Sequence, residues 1–316
     1  MAKIVEARLT DEFIGSAGIP GIIHSKFRTV LNILFRMPTG SSRLITIITP
    51  GTKGIPDSIT VTEKYFARIS LLPIGSKLLC KNLIIVFENI PETLEGNIHC
   101  LRQSELVIKS TVEKMLGTPN FVHYFKELEL LSIKYCRNNG FSIWNIQRKN
   151  QIATDMQSFA KAWLKHDIAG METILLKHIG RGIGLTPSCD DAFLGMIAVF
   201  SAARLYADTP VETIEKGLRC WKDLLAIESL TPLAKLLINR TTDVSLKYLC
   251  CSQEGRFSDA VINLMGAIFS ETGENLEIYM ESVALVGESS GMDLLFGTEI
   301  ACLELGKTLD YAKNDF

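Results

Sequence analysis

Asp190 and Asp191 stand side by side in the stretch GRGIGLTPSCDDAFLG, residues 180–195, directly before a run of apolar residues. Carboxylates are costly to desolvate, so a pair at the mouth of a hydrophobic segment calls for a purpose. Gly180, Gly182 and Gly184 precede them at alternate positions, with Arg181 among the glycines and Thr186 and Ser188 following. Alternate glycines let backbone N–H groups approach an anion, and an arginine adds positive charge there. Two chemical roles suit the acids. Asp190 and Asp191, joined by Asp293, could hold Mg²⁺, a hard cation that prefers oxygen ligands. Alternatively one of them could act as general base while the glycine loop holds a phosphate. The acids alone do not choose between these roles, and the G-x-G-x-G spacing lacks the longer G-x-G-x-x-G form.

The stretch has an echo. Ser188, Asp191 and Gly195 recur 102 residues later as Ser290, Asp293 and Gly297, giving two copies of S-x-x-D-φ-φ-φ-G with φ apolar. The plainest explanation is a capping box at two helix starts, serine at the N-cap and an acid three residues on, with each glycine marking a close helix approach. That explanation uses neither Asp190 nor the preceding glycines.

A third segment, NRTTDVSLKYL, places Arg240, Thr241 and Thr242 before a helix, with Ser245 three residues beyond Thr242. Its threonines can cap the helix while Ser245 faces backbone, or the hydroxyls can face a ligand. A thiol at a first helical turn tends to acidify, but the aspartates beside Cys189 oppose that, so Cys189 is not read as a nucleophile. His178 shows no acid or nucleophile partner in sequence and is read as structural.

The elements that must position these residues follow from punctuation and periodicity. Six of the ten prolines lie at or before Pro91, among β-branched segments such as RLITIITP, DSITVTEKYF, GSKLLC and NLIIVFENI. Short strands between Gly/Pro turns predict a compact β-rich, barrel-like domain over residues 1–95, with GIPGIIHSKFRTVLNILF adding one or two further strands. From residue 96 to 316 the pattern is helical. Residues 99–116 and 121–140 carry three- and four-residue apolar spacing, continued by Met156, Phe159, Ala160 and Trp163. Segments 211–227, 233–238, 259–269 and 294–305 also read as helices, and 192–203 as a helix buried on all sides. The fold class is α+β.

Bulk properties narrow the function. Lys plus Arg total 33 against 35 Asp plus Glu, a balance that argues against general nucleic-acid binding. No apolar run approaches the length of a membrane span, and the acidic N-terminus does not suit a signal peptide. Eight scattered cysteines without a C-x-x-C pair suit reduced, buried thiols, and the five histidines show no zinc spacing. A cytoplasmic location is expected.

GLTPSCDDAFLG, NRTTDVSLKYL…GRFSDAV and GESSGMDLLFG together resemble a bacterial family, long described as a domain of unknown function. Its members include the third subunit of oxamate carbamoyltransferase, from anaerobic allantoin (purine) breakdown. The resemblance implies a small β-rich part followed by a helical domain, and a role in carbamoyl transfer between carbamoyl phosphate and oxamate within a hetero-oligomeric complex. It implies a site at residues 184–191, with Asp190 and Asp191 as catalytic candidates. Arg181, Gly182, Gly184, Thr186, Ser188, Thr241, Thr242, Ser245, Ser290 and Asp293 are the substrate-binding candidates. The family carries glycine where this chain has Cys189, whose side chain fills space that bare backbone could give a ligand. The competing expectations are a non-catalytic assembly or regulatory subunit and a Mg²⁺-dependent hydrolase.

Overall fold

The structure, a computed structural model, describes residues 18–81, 84–88, 146–204, 211–225, 232–270 and 275–314. The chain divides into two compact units, Met1–Gln103 and Ser104–Phe316. The composition shift near Pro91 and the two helices expected over 99–116 and 121–140 lie outside the described residues.

The first unit is one curled, half-barrel sheet of six strands in the order β4-β3-β2-β1-β5-β6. Its strands are β1 (Ile19–Lys26), β2 (Val30–Arg36), β3 (Ser42–Ile48), β4 (Ser58–Thr60), β5 (Lys77–Lys81) and β6 (Ile84–Phe87). GIPGIIHSKFRTVLNILF supplies β1 and β2, paired antiparallel with Ile23 opposite Ile33. Alternation along β1 turns Ile19 and Ile23 inward and Ile22 outward, as a sheet with one covered face requires. The inward side chains, with Phe35, Ile47 and Phe66, form the unit's core.

DSITVTEKYF behaves differently from the strand it resembles. Only Ser58–Thr60 pairs, parallel to β3, and the rest enters helix α1 (Glu63–Ile69). Thr62 caps that helix by accepting the Tyr65 N–H at 3.3 Å, and Phe66 and Ile69 then share its buried face.

The second unit is helical: α2 (Ile146–Lys165), α3 (Ile168–His178), α4 (Ser188–Ala203), α5 (Val211–Leu224), α6 (Pro232–Ile238), α7 (Asp243–Gln253), α8 (Asp259–Ile268), α9 (Leu276–Ala284) and α10 (Ser290–Asn314). Every residue of α4 is buried, which is why its sequence shows no polar face. Met156, Phe159, Ala160 and Trp163 all face this core, and Trp163 stacks on Phe200 with ring centroids 4.8 Å apart. Helices α3 and α9 add to the expected set. The Asp167 carboxylate caps α3 by accepting the Gly170 N–H at 3.0 Å, and α9 starts after Asn275 in a left-handed conformation.

Among the described residues no helix is long and apolar enough to cross a membrane. The six described cysteines are free thiols, five of them buried and Cys250 partly so.

Candidate functional site

Helices α4 and α10, the two that carry the repeated motif, cross through their glycines. A Cβ on Gly195 would stand 2.1 Å from the Leu294 carbonyl oxygen, and one on Gly297 would stand 1.9 Å from the Ala192 carbonyl oxygen. Ala192 and Leu294 occupy equivalent places in the two motif copies, so the contact is reciprocal. Asp191 and Asp293 each lie one turn before the glycine of their own helix, on the same face. Both acids are buried, at 4% and 0% exposure.

The motif does not form capping boxes. Pro187, not Ser188, is the N-cap of α4 and makes no side-chain cap bond, while Ser188 and Ser290 are already helical. The prolyl φ near −57° starts the helix without serine's help. That releases the hydroxyls for other use. Thr186 Oγ1 and Ser290 Oγ lie 2.6 Å apart, joining the loop before α4 to the start of α10. Both hydroxyls also hydrogen-bond to the Asp191 carboxyl. In the first turn of α4, Ser188 Oγ and Asp191 Oδ2 are buried without a hydrogen-bond partner among the described residues.

Electrostatics set the two neighbouring aspartates apart. Burial, followed by the charge of Asp293, pushes Asp191 well above the usual carboxylate range, against the pull of Ser290 and Thr186. Asp190 is raised too, by burial, although three donors hold it down. Gly180 N–H donates to Asp190 Oδ1 at 2.7 Å; Ser245 Oγ donates to Oδ2 at 2.6 Å, and Thr241 Oγ1 donates to the same oxygen. Asp190 is therefore a clasp between the glycine loop and α7.

That clasp redefines the loop. Gly180 N–H, expected to face an anion, is spent on Asp190, and Arg181 N–H donates to the His178 carbonyl at 3.0 Å. Gly180 and Gly182 both have positive φ and press on backbone: a Cβ would meet the Arg240 carbonyl oxygen at 1.8 Å and the Ser188 nitrogen at 2.2 Å. Tight seating, more than ligand approach, explains these two glycines. Gly184 differs, since a Cβ there would meet nothing within 4 Å. The Arg181 side chain is exposed.

Thr242 caps α7, accepting the Ser245 N–H at 3.1 Å and donating to the Leu185 carbonyl. Ser245, expected to face backbone, instead holds Asp190. The expected Mg²⁺ set of Asp190, Asp191 and Asp293 is not assembled. Among the described residues no three His, Cys, Asp or Glu side chains are grouped to hold a metal ion. The reason is that both Asp190 oxygens turn toward Gly180, Thr241 and Ser245. Cys189 is fully buried, and burial with the charge of Asp190 pushes its thiol up to about 12, as the reading against a nucleophile requires.

Two participants escape the sequence. Asp155 on α2 accepts from Lys177 at 2.6 Å and partners His178 Nε2 at 2.7 Å, so His178 does have an acid. Burial lowers the His178 pKa, with Asp155 opposing, and its buried Nδ1 has no partner among the described residues. Tyr248, one turn beyond Ser245 on α7, lies within reach of the Asp191 charge; burial raises its phenol first, then Cys251 and Asp191. The i, i+3 and i, i+4 spacing of Thr241, Ser245 and Tyr248 on a helix start was the available signal for Tyr248. Nothing in sequence pairs Asp155 with His178.

Residues 178–302 match the family model described as oxamate carbamoyltransferase subunit AllH. The matched segment contains α4, α7, the start of α10 and every site residue named above except Asp155 and Lys177. No curated protein and no solved structure matches the chain.

Proposed function

We propose, from the match of residues 178–302 to this family model and from the crossing of α4 and α10, that the chain is a subunit of a cytoplasmic carbamoyltransferase complex. It handles a small anionic substrate, carbamoyl phosphate with oxamate or a related acceptor, beside partner subunits. The observation that carries the reading is the buried Asp191–Asp293 pair, in which Asp191 is hydrogen-bonded by the Thr186 and Ser290 hydroxyls while its Oδ2 has no partner among the described residues. In carbamoyl transfer the bond from carbon to the phosphate oxygen breaks and a bond to the acceptor nitrogen forms. That nitrogen gives up one proton, and phosphate leaves. A carboxyl pair that holds one proton against mutual repulsion is suited to pass that proton. Asp191 is the stronger catalytic candidate. Asp190 positions the loop, and Gly182, Gly184 and Arg181 line the side from which a phosphate would arrive.

The test is reconstituted transfer activity with Asp191→Asn. Loss of activity by at least about a hundredfold, with folding and assembly kept, is the expected result; full activity would remove Asp191 from the chemistry.

One observation favours the second reading, a non-catalytic assembly or regulatory subunit. Asp191 and Asp293 are almost inaccessible, and the reciprocal glycine contact is a packing device in its own right. That reading predicts that Asp191→Asn changes stability and leaves the activity of the assembled complex intact.

A further inference from the structure

The orphaned atoms at the start of α4 narrow what the site can hold. Ser188 Oγ and Asp191 Oδ2 are both buried in the first turn of one helix, and neither has a partner among the described residues. A buried hydroxyl needs both to give and to receive a hydrogen bond, and a buried carboxyl oxygen needs at least one partner. Two further carboxyls, Asp190 and Asp293, stand close to this turn; Tyr248, Cys189 and the exposed Arg181 are also within electrostatic reach of it. An oxyanion placed here would supply acceptors only and would meet three carboxyl groups. A cation would lack a third carboxylate, because Asp190 is consumed by its own three donors.

We infer that the first turn of α4 reads the amide end of the substrate: a planar CO–NH₂ group whose carbonyl and N–H groups satisfy Ser188 Oγ and Asp191 Oδ2 together. A primary amide offers an acceptor and two donors in one plane, so it completes Ser188 Oγ and Asp191 Oδ2 whether Asp191 or Asp293 carries the proton those two carboxyls share. The anionic end of the substrate then points away from the carboxyls, toward Gly184, where the backbone borders open space. This orientation rests on the carbamoyl-transfer reading and adds to it which end of the ligand is recognised, and by what.

The inference is tested with two acyl phosphates of matched charge. Carbamoyl phosphate and acetyl phosphate differ by NH₂ against CH₃, so only the first can donate to the α4 turn. Their binding is measured by thermal shift and calorimetry on the chain and on the assembled complex, for wild type, Ser188→Ala and Asp191→Leu. The expected result is at least tenfold tighter binding of carbamoyl phosphate by wild type, with the preference reduced severalfold in both variants. Ser188→Ala removes one buried hydroxyl from a packed turn and keeps the test informative if Asp191→Leu fails to fold. Equal binding of the two acyl phosphates would overturn the amide reading while leaving a small-anion site in place. Binding of neither, by chain or complex, would overturn both.

Discussion

Gly195 seats its bare α-carbon against the carbonyl of Leu294, and Gly297 does the same against Ala192, so the two copies of one motif grip each other through equivalent atoms. That grip brings Asp191 and Asp293 into one buried environment. Adding a methyl at either glycine drives a Cβ into backbone, which cannot yield as a flexible side chain can. Gly195→Ala and Gly297→Ala should each cost about 3 kcal/mol or more. Denaturant unfolding checks this; a loss below 1 kcal/mol at either site would mean the crossing is looser than described.

Asp190 gathers one backbone N–H and two hydroxyls. In Asp190→Asn the amide oxygen can still accept from Gly180 while the Thr241 and Ser245 hydroxyls rotate to accept from the new NH₂ group. Asp190→Ala leaves all three donors buried and unmet. The alanine variant should lose about 3 kcal/mol and the asparagine variant under about 1 kcal/mol. Equal losses would remove the hydrogen bonds as the cause.

Asp191 has a folded pKa raised well above 3.8, first by burial and then by Asp293. The folded state thus holds a proton that the unfolded state releases, and its contribution to stability is complete below pH 3.8 and declines as pH rises through the folded value. Asp191→Asn should flatten that decline and leave the variant more stable than wild type at alkaline pH. Unfolding free energies across pH for both proteins decide the matter.

His178 shifts the other way. Burial lowers its pKa below 6.5, so its contribution is present above pH 6.5 and is lost as pH falls toward the folded value. Asp155 loses its own contribution at lower pH: burial would raise it, but hydrogen bonds from Lys177, His178 and Gln151 outweigh that and hold it below 3.8. His178→Gln should remove the part of the acid loss that begins just below pH 6.5. An unchanged acid profile would show that the Asp155–His178 contact carries no linkage.

Cys189 is a buried thiol whose pKa is pushed up to about 12 by burial and the charge of Asp190. It should resist alkylation in the native state and react fully once unfolded, and Cys189→Ser should keep transfer activity in the complex. Rapid native alkylation with loss of activity would reopen the nucleophile question.

Local residue patterns were enough to assign the classes of element and to single out the special stretch. Period-two alternation and Gly/Pro turns marked the sheet because they follow from local backbone geometry, and three- and four-residue spacing did the same for the helices around Trp163. Repeated Ser, Asp and Gly marked the two helix starts that turn out to meet. Only tertiary structure decided what those residues do. A local reading makes Ser188 and Ser290 helix caps, because a serine before an acid satisfies nearby N–H groups; in the folded chain α4 starts from Pro187 with no side-chain cap bond, and Ser290 turns to Thr186 and Asp191. A local reading also makes Asp190 and Asp191 a pair. Adjacent helical residues point about 100° apart, so Asp190 turns to Gly180 and α7, while Asp191 turns to Asp293, a residue the sequence holds far away and the α4–α10 crossing brings beside it.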